Sequence, residues 1–84
     1  MNLEAVHTAA VTLAERIRSA VNAQLVQRGI SQRELARRLG WSQQYTWRRL
    51  AGRKEFSPTD LDQIASVLDL PVTELIPIDA TEVA

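Results

Sequence analysis

The chain has 84 residues, of which 45% are hydrophobic, and no cysteine, which is the composition of one small soluble domain and excludes disulfides and thiolate metal sites. No apolar run approaches the roughly 20 residues of a membrane span and no export signal opens the sequence, so the expected location is cytoplasmic. The net charge of zero conceals a basic middle segment, since all ten basic residues lie between Arg16 and Lys54, where Glu34 is the only acid. This segment carries +9, which is typical of a protein that binds a polyanion.

The first predicted element is one long amphipathic helix. Apolar residues recur at intervals of three and four from Leu3 to Leu25, and Gly29 is the stop signal. Before Leu13 the apolar spacing is close to a heptad, so residues 1–12 are interpreted as an extension of this helix. The extension is either a dimer seam or a segment that packs along its own domain.

Two short helices with serine caps are predicted next. Ser31 and Glu34 indicate a capping box at the start of the first one, which Gly40 ends. Ser42 caps the second, over about residues 43–50, and Gly52 terminates it.

The last predicted helix begins at a strong start signal. Ser57 is the cap, Pro58 is the first helical residue and Asp60 places an acid in the first turn. The helix runs to about residue 69, and its buried stripe consists of Leu61, Ile64, Ala65 and Leu68. Residues 71–76 indicate one further helical turn, and 77–84 an acidic, flexible tail. No strand or repeat is visible, so the predicted fold class is all-α.

The sequence gives little support for catalysis or metal binding. His7 is the only histidine and has no second ligand, so it is interpreted as a solvated side chain. No glycine-rich phosphate loop or nucleophile elbow occurs. The paired acids Asp60 and Asp62 suit a helix N-terminus better than a catalytic dyad. We therefore expect no enzymatic activity, no metal and no cofactor.

The two serine-capped helices and their connection, Gly40-Trp41-Ser42, predict a helix-turn-helix. On the second helix, an advance of about 100° per residue places four side chains on one face. These are Gln43, Gln44, Trp47 and Arg48, whereas Thr46, Arg49 and Leu50 lie on the other side, with Tyr45 at its edge. Glutamine pairs with adenine and arginine with guanine in the major groove, so the four-residue face is a candidate for reading base pairs.

With these features the sequence resembles the lambdoid phage repressor and Cro family of helix-turn-helix proteins. The resemblance covers about residues 13–76 and rests on an ordered series: Gly29-Ile30-Ser31-Gln32, Glu34-Leu35-Ala36, Leu39-Gly40, Ser42-Gln43-Gln44, Gly52, Leu61, Ile64-Ala65, Leu68 and Leu70-Pro71-Val72-Thr73-Glu74-Leu75. It implies a compact five-helix bundle, here with an extended first helix, in a domain over residues 1–76. It also implies binding to operator DNA, usually as a dimer. Arg48-Arg49-Leu50 with Gly52 resembles an actinobacterial or actinobacteriophage variant.

The resemblance also implies roles for individual residues. Gln43, Gln44 and Arg48 would read bases, and phosphates would be held by Gln32, Arg33, Ser42, Arg53 and Lys54. Tyr45 and Trp47 flank the reading face, where one of them either packs on a sugar or thymine methyl or only covers the core. Trp41 and Phe56 are expected to pack in the core.

Two features depart from the family pattern. An internal Arg–Glu pair of the family is replaced here by Leu25 and Leu50, a change that leaves the fold intact because packed leucines can replace a buried ion pair. Arg49 stands where the family has an apolar residue. Either Arg49 reaches a phosphate or an acid such as Glu55, or Trp47 turns inward and the helix is rotated.

The sequence thus favours a sequence-specific regulator of transcription that binds double-stranded DNA, a phage or bacterial repressor of the Cro type that occludes its operator. It is expected to form a homodimer at least on DNA and to need no small-molecule ligand or membrane. The alternative is an antitoxin that uses the same fold to bind a protein toxin. A purely protein-binding adaptor is disfavoured by the +9 segment, and a restriction-modification controller would share the DNA chemistry.

Overall fold

The computed structural model describes residues 12–77, which form four α-helices and one short 3₁₀ helix. The α-helices are α1 (Leu13–Arg28), α2 (Gln32–Leu39), α3 (Gln43–Leu50) and α4 (Pro58–Leu68), and the 3₁₀ helix covers Val72–Leu75. No strand occurs in this part of the chain, so the all-α prediction is confirmed. None of the described helices is long and apolar enough to cross a membrane.

Within residues 12–77 the predicted five helices reduce to four α-helices. The fifth element is a single 3₁₀ turn of four residues that lies between Pro71 and Pro77. Proline lacks the N–H that a continuing helix uses and restricts the residue before it, so the segment is too short to become a further α-helix. Leu75 is nevertheless fully buried and attaches this turn to the core.

α1 begins later than the sequence pattern predicts. Thr12 has extended backbone (φ −79°, ψ 159°), and its hydroxyl accepts a hydrogen bond from the Glu15 N–H at 3.1 Å. Thr12 is therefore an N-cap, and the prediction of one continuous helix from Leu3 is wrong because the backbone leaves the helical region at this residue. The predicted dimer seam, His7 and the acidic tail lie outside the described residues.

Serine side chains start three of the helices, as predicted. The hydroxyls of Ser31, Ser42 and Ser57 each accept from the N–H three residues later, at 3.0 Å. The capping box is complete at α4, where the Asp60 carboxylate accepts from the Ser57 N–H at 2.9 Å. At α2 only half of the predicted box forms, because the Glu34 carboxylate accepts hydrogen bonds from arginines of its own helix instead.

A single core connects the described elements. Its largest fully buried side chains come from all five: Val21 on α1, Leu35 on α2, Thr46 on α3, Ile64 and Leu68 on α4, and Leu75 on the 3₁₀ turn. The predicted α4 stripe is confirmed, since its four residues are all buried. Leu50 of α3 is also buried in this core. Burial of a leucine side chain contributes roughly 2 kcal/mol to folding, so α3 is fixed to the body of the domain by its inner face.

Residues singled out from the family pattern also pack as expected. Leu25 and Leu50 are both buried in the core cluster, which fits the exchange of an ion pair for two packed leucines. Trp41 and Phe56 are partly buried against the same cluster. The core predictions for these residues are therefore confirmed.

Candidate nucleic-acid interface

The connection between α2 and α3 is a sharp turn made by Gly40-Trp41-Ser42. Gly40 has a φ of 72°, which a residue with a Cβ adopts only with strain. The Trp41 N–H donates to the Ala36 carbonyl at 3.0 Å, and its indole Nε1 donates to Gln63 Oε1 at 3.2 Å. The turn therefore holds α3 against α2, and the indole ties it to α4.

α3 directs one face to solvent and the other to the core. Gln43, Gln44 and Arg48 are exposed, and Trp47 is 46% exposed; these four residues form the outward face. On the inner side Thr46 is 0% and Leu50 7% exposed. The predicted division of this helix into two faces is confirmed, and the alternative in which Trp47 turns inward is wrong.

The polar members of the outward face are available for intermolecular hydrogen bonds. Gln43, Gln44 and Arg48 have no side-chain hydrogen-bond partner within residues 12–77. A glutamine amide offers one acceptor and two donor hydrogens, and a guanidinium offers five donor hydrogens in a planar fork. These are the groups that pair with the major-groove edges of adenine and guanine.

The loop after α3 places two cations beside the outward face. The N–H groups of Arg53 and Lys54 donate to the Arg48 carbonyl at 2.8 and 3.2 Å, so the chain folds back over the last turn of the helix. The Arg53 guanidinium carbon lies 5.8 Å from the centroid of the Trp47 ring, within the range of a cation–π contact. Arg53 and Lys54 are both exposed, so their charges remain accessible to a phosphate.

A groove at the α2–α3 junction brings a predicted phosphate ligand next to a predicted base-reading residue. It is lined by Ser31, Arg33, Glu34, Ala36, Arg37, Trp41 and Gln43. Gln32 is only partly exposed and does not line this groove. The Ser42 hydroxyl already accepts a hydrogen bond from the Tyr45 N–H at 3.0 Å, as the cap of α3.

The comparison with protein families gives a match over residues 12–76, to a family described as a helix-turn-helix domain. The chain belongs to this helix-turn-helix family. The matched range includes α2, the turn, α3 and every core element, so the family membership supports DNA binding by the unit that carries the outward face. No curated protein and no solved structure matches the chain.

Within the helix-turn-helix, the charges on α2 are partly neutralised. The Glu34 carboxylate accepts from Arg37 Nε at 3.0 Å and from Arg38 Nε at 2.8 Å. These hydrogen bonds, the one from Arg37 first, lower the pKa of Glu34 from 4.5 to about 2. Arg33 is exposed and has no such partner in the described part of the chain. Of the three arginines on α2, Arg33 is thus the one whose charge is fully available.

The Arg49 side chain is nearly buried and pairs with groups of the domain itself. Its Nε donates to Asp60 Oδ2 at 2.8 Å, and the two side chains are only 11% and 5% exposed. Its guanidinium carbon lies 3.5 Å from the centroid of the Tyr45 ring. The expectation that Arg49 reaches an acid is therefore confirmed, but the acid is Asp60 in the first turn of α4, not Glu55.

Tyr45, predicted as a possible DNA contact, also bonds to this acid. Its hydroxyl donates to Asp60 Oδ1 at 2.6 Å, and this hydrogen bond, together with burial, raises the pKa of Tyr45. Burial raises the pKa of Asp60, but the hydrogen bonds from Tyr45, Ser57 and Arg49 outweigh it, so the pKa lies below its usual value. The carboxylate is therefore ionised at neutral pH.

Asp60 and Asn22 hydrogen-bond α3 to the rest of the domain, and neither role is predicted from the sequence. The sequence identifies Asp60 only as part of a helix start, although a charged residue at the apolar position of Arg49 is a signal that some acid must lie opposite. Asn22 on α1 has no such signal. Its Nδ2 donates to the Arg18 carbonyl at 2.9 Å and to the Leu50 carbonyl at 3.3 Å, so α1 satisfies the last carbonyl of α3.

Proposed function

We propose that the protein is a sequence-specific transcriptional regulator that binds double-stranded DNA, a phage or bacterial repressor of the Cro type. The observation that carries this proposal is the outward face of α3, whose polar side chains are exposed and unpartnered within residues 12–77. Gln43 and Gln44 read adenine, and Arg48 reads guanine, through paired hydrogen bonds in the major groove. Trp47 supplies an apolar surface for a thymine methyl or a sugar.

Phosphate contacts supply the part of the affinity that does not depend on sequence. Arg53 and Lys54 lie at one end of the outward face, and Arg33 lines the groove at the other end, beside Gln43. Neutral donors are the Gln32 side chain, at the first residue of α2, and the first N–H groups of α3, which Ser42 caps. Each neutralised phosphate releases condensed counterions, so the affinity falls steeply as salt rises.

Repression follows from occupancy of the DNA. A homodimer on a two-fold-related operator in the bacterial cytoplasm excludes the transcription machinery from a promoter, and no bond is made or broken. The resemblance to the lambdoid Cro and repressor family supports this mode of action.

The experiment that tests the proposal is selection of binding sites from a randomised duplex pool at about 100 mM salt, repeated at higher salt. We expect an enriched motif and an affinity that falls with salt. A two-fold symmetric motif supports a dimer, and an asymmetric one a monomer. The matched control is a variant with Gln43, Gln44 and Arg48 all changed to alanine, which should retain duplexes without sequence preference. A pool without enrichment and with negligible affinity for the natural protein would overturn the proposal.

A further inference from the structure

The buried carboxylate of Asp60 joins α3, the helix proposed to read base pairs, to α4. Asp60 Oδ1 accepts from the Tyr45 hydroxyl at 2.6 Å, and Oδ2 accepts from Arg49 Nε at 2.8 Å and from the Ser57 N–H at 2.9 Å. Asp60, Tyr45, Arg49 and Ser57 together form the Asp60 junction. We propose that Asp60 is the positioning residue for DNA reading, which fixes the rotation of α3 about its own axis and so aims the outward face at the base pairs. This inference rests on the proposed function.

The geometry of α3 shows why this junction controls rotation. Thr46 and Leu50 attach the inner side of the helix to the core along one line, and contacts along one line restrain rotation about the helix axis less than contacts along two lines. Tyr45 and Arg49 form a second line, rotated by about 100° around the helix axis. Because both members of this second line bond to one carboxylate, roll in either direction breaks a charge-assisted hydrogen bond.

The carboxylate is itself a rigid anchor. Its bond to the Ser57 N–H completes the capping box of α4, and the next residue, Leu61, is 4% exposed in the core. A side chain with two torsion angles, held by a backbone N–H and next to a core residue, has little freedom to follow a moving partner. The position of α4 is therefore transmitted to α3 through Asp60.

The junction also withholds one positive charge from DNA. Arg48 and Arg49 are neighbours in sequence, but Arg48 is exposed without a partner in the described part of the chain, whereas Arg49 is paired with Asp60 and stacked on Tyr45. When the pair is broken, Arg49 becomes a free cation next to the reading helix. Loss of the junction should therefore weaken specific binding and leave non-specific binding unchanged or stronger, whereas unfolding weakens both.

The test compares Asp60→Asn with Asp62→Asn, which removes the same charge from an exposed position on the same helix. Asparagine keeps one oxygen at the Oδ2 position for the Ser57 N–H, so the cap of α4 is preserved, but it has no charge to pair with Arg49 and no second oxygen to accept from the Tyr45 hydroxyl. Affinities are measured for the motif selected by the natural protein and for a scrambled duplex. For Asp60→Asn we expect roughly tenfold or greater loss on the motif, as for one lost base contact, without loss on the scrambled duplex. The salt dependence should steepen by about one phosphate contact, and preference should flatten at several base positions together.

The outcomes separate this inference from the proposed function. If the natural protein selects a motif, and Asp60→Asn keeps the same ratio of motif to scrambled affinity as Asp62→Asn, the positioning role is overturned and the function stands. An equal loss on both duplexes also overturns it, since that indicates a merely structural role. If the natural protein selects no motif, both fail. Tyr45→Phe, which removes only the hydroxyl, is the second variant in case Asp60→Asn does not fold, and circular dichroism verifies each fold. We expect Tyr45→Phe to show the same selective loss, with a smaller amplitude.

Discussion

α2 and α3 are helices of equal length and similar sequence pattern, but the arginines of the two helices have different roles. Both have eight residues, a serine N-cap and a pair of arginines in the last turn. On α2 both arginines bond to Glu34 of their own helix at the exposed surface. On α3 one arginine stays free within residues 12–77 and the other bonds to a buried acid of α4. An arginine pair thus serves local charge balance on α2 and orientation on α3.

The largest expected difference between the two helices lies in the free energy of unfolding after removal of the acid that binds their arginines, Asp60 or Glu34. Asp60→Ala leaves Arg49 and the Tyr45 hydroxyl without their partner, and removal of one member of a buried pair costs about 3–5 kcal/mol. Glu34→Ala affects an exposed pair, which solvent and salt screen, so the loss should be much smaller. Urea unfolding followed by circular dichroism at neutral pH measures both. Equal losses for the two variants would show that the buried and exposed pairs do not differ in stability.

A second prediction separates the free arginine of α3 from its neighbour in the following loop. Arg48→Ala should relax preference at one base position by about 1–3 kcal/mol, because a bidentate contact to guanine is lost. Arg53→Ala should weaken binding to all sequences alike and reduce the salt slope by about one. Both are measured by site selection followed by titration. An unchanged preference for Arg48→Ala would argue against base reading by this residue.

Acid titration should distinguish the two carboxylates further. Both pKa values are depressed in the folded protein. That of Glu34 falls to about 2, and that of Asp60 lies below its usual value. Their stabilisation is therefore complete above the ordinary pKa values of about 4 and is lost as the pH falls through the folded values. The Glu34 pair is exposed, so solvent and salt screen its contribution despite the low pKa. Unfolding free energies between about pH 5 and 2 should thus fall less steeply in Asp60→Asn and in Glu34→Gln than in the natural protein. Added salt should diminish the difference for Glu34→Gln and leave that for Asp60→Asn, and equal salt dependence of the two would contradict this assignment.

The smallest expected effect on stability comes from removing the serine N-caps of α2 and α3. Ser31→Ala and Ser42→Ala each remove one hydrogen bond of 3.0 Å, so each should destabilise the fold by about 1 kcal/mol. Their effects on DNA should differ, because the Ser42 cap begins the reading helix. We expect Ser42→Ala to reduce affinity for the selected motif more than Ser31→Ala does. Thermal unfolding and a binding titration provide the two readouts, and equal binding losses would remove this distinction between the helices.

The features that are predictable from sequence are those that depend on neighbouring residues. The serine caps, the ends of α1 and α2 at Gly29 and Gly40, and the buried stripe of α4 follow from spacing of a few residues. The two faces of α3 also follow from helical periodicity alone. This local information is sufficient to place the outward face and to indicate the helix-turn-helix.

The features that escape prediction depend on distant contacts or on competing partners. Asp60 bonds to Arg49 across 11 residues, and no sequence pattern selects it over Glu55. Glu34 has two kinds of partner within reach, and its arginines displace the backbone N–H of the cap. Thr12 interrupts a periodic apolar pattern, because a residue that caps a helix can stop it where hydrophobic spacing continues.

On α3, the side chains proposed to contact DNA are different from those that hold the helix in place, and this affects which substitutions the protein tolerates. Gln43, Gln44 and Arg48 contribute no side-chain hydrogen bond to the described part of the chain, while the neighbouring Tyr45, Thr46, Arg49 and Leu50 hold the helix in place. Substitutions at the three free positions therefore carry little risk of misfolding. If the proposed function holds, new DNA-sequence preferences can evolve there, or be chosen from a small combinatorial library, on an unchanged scaffold.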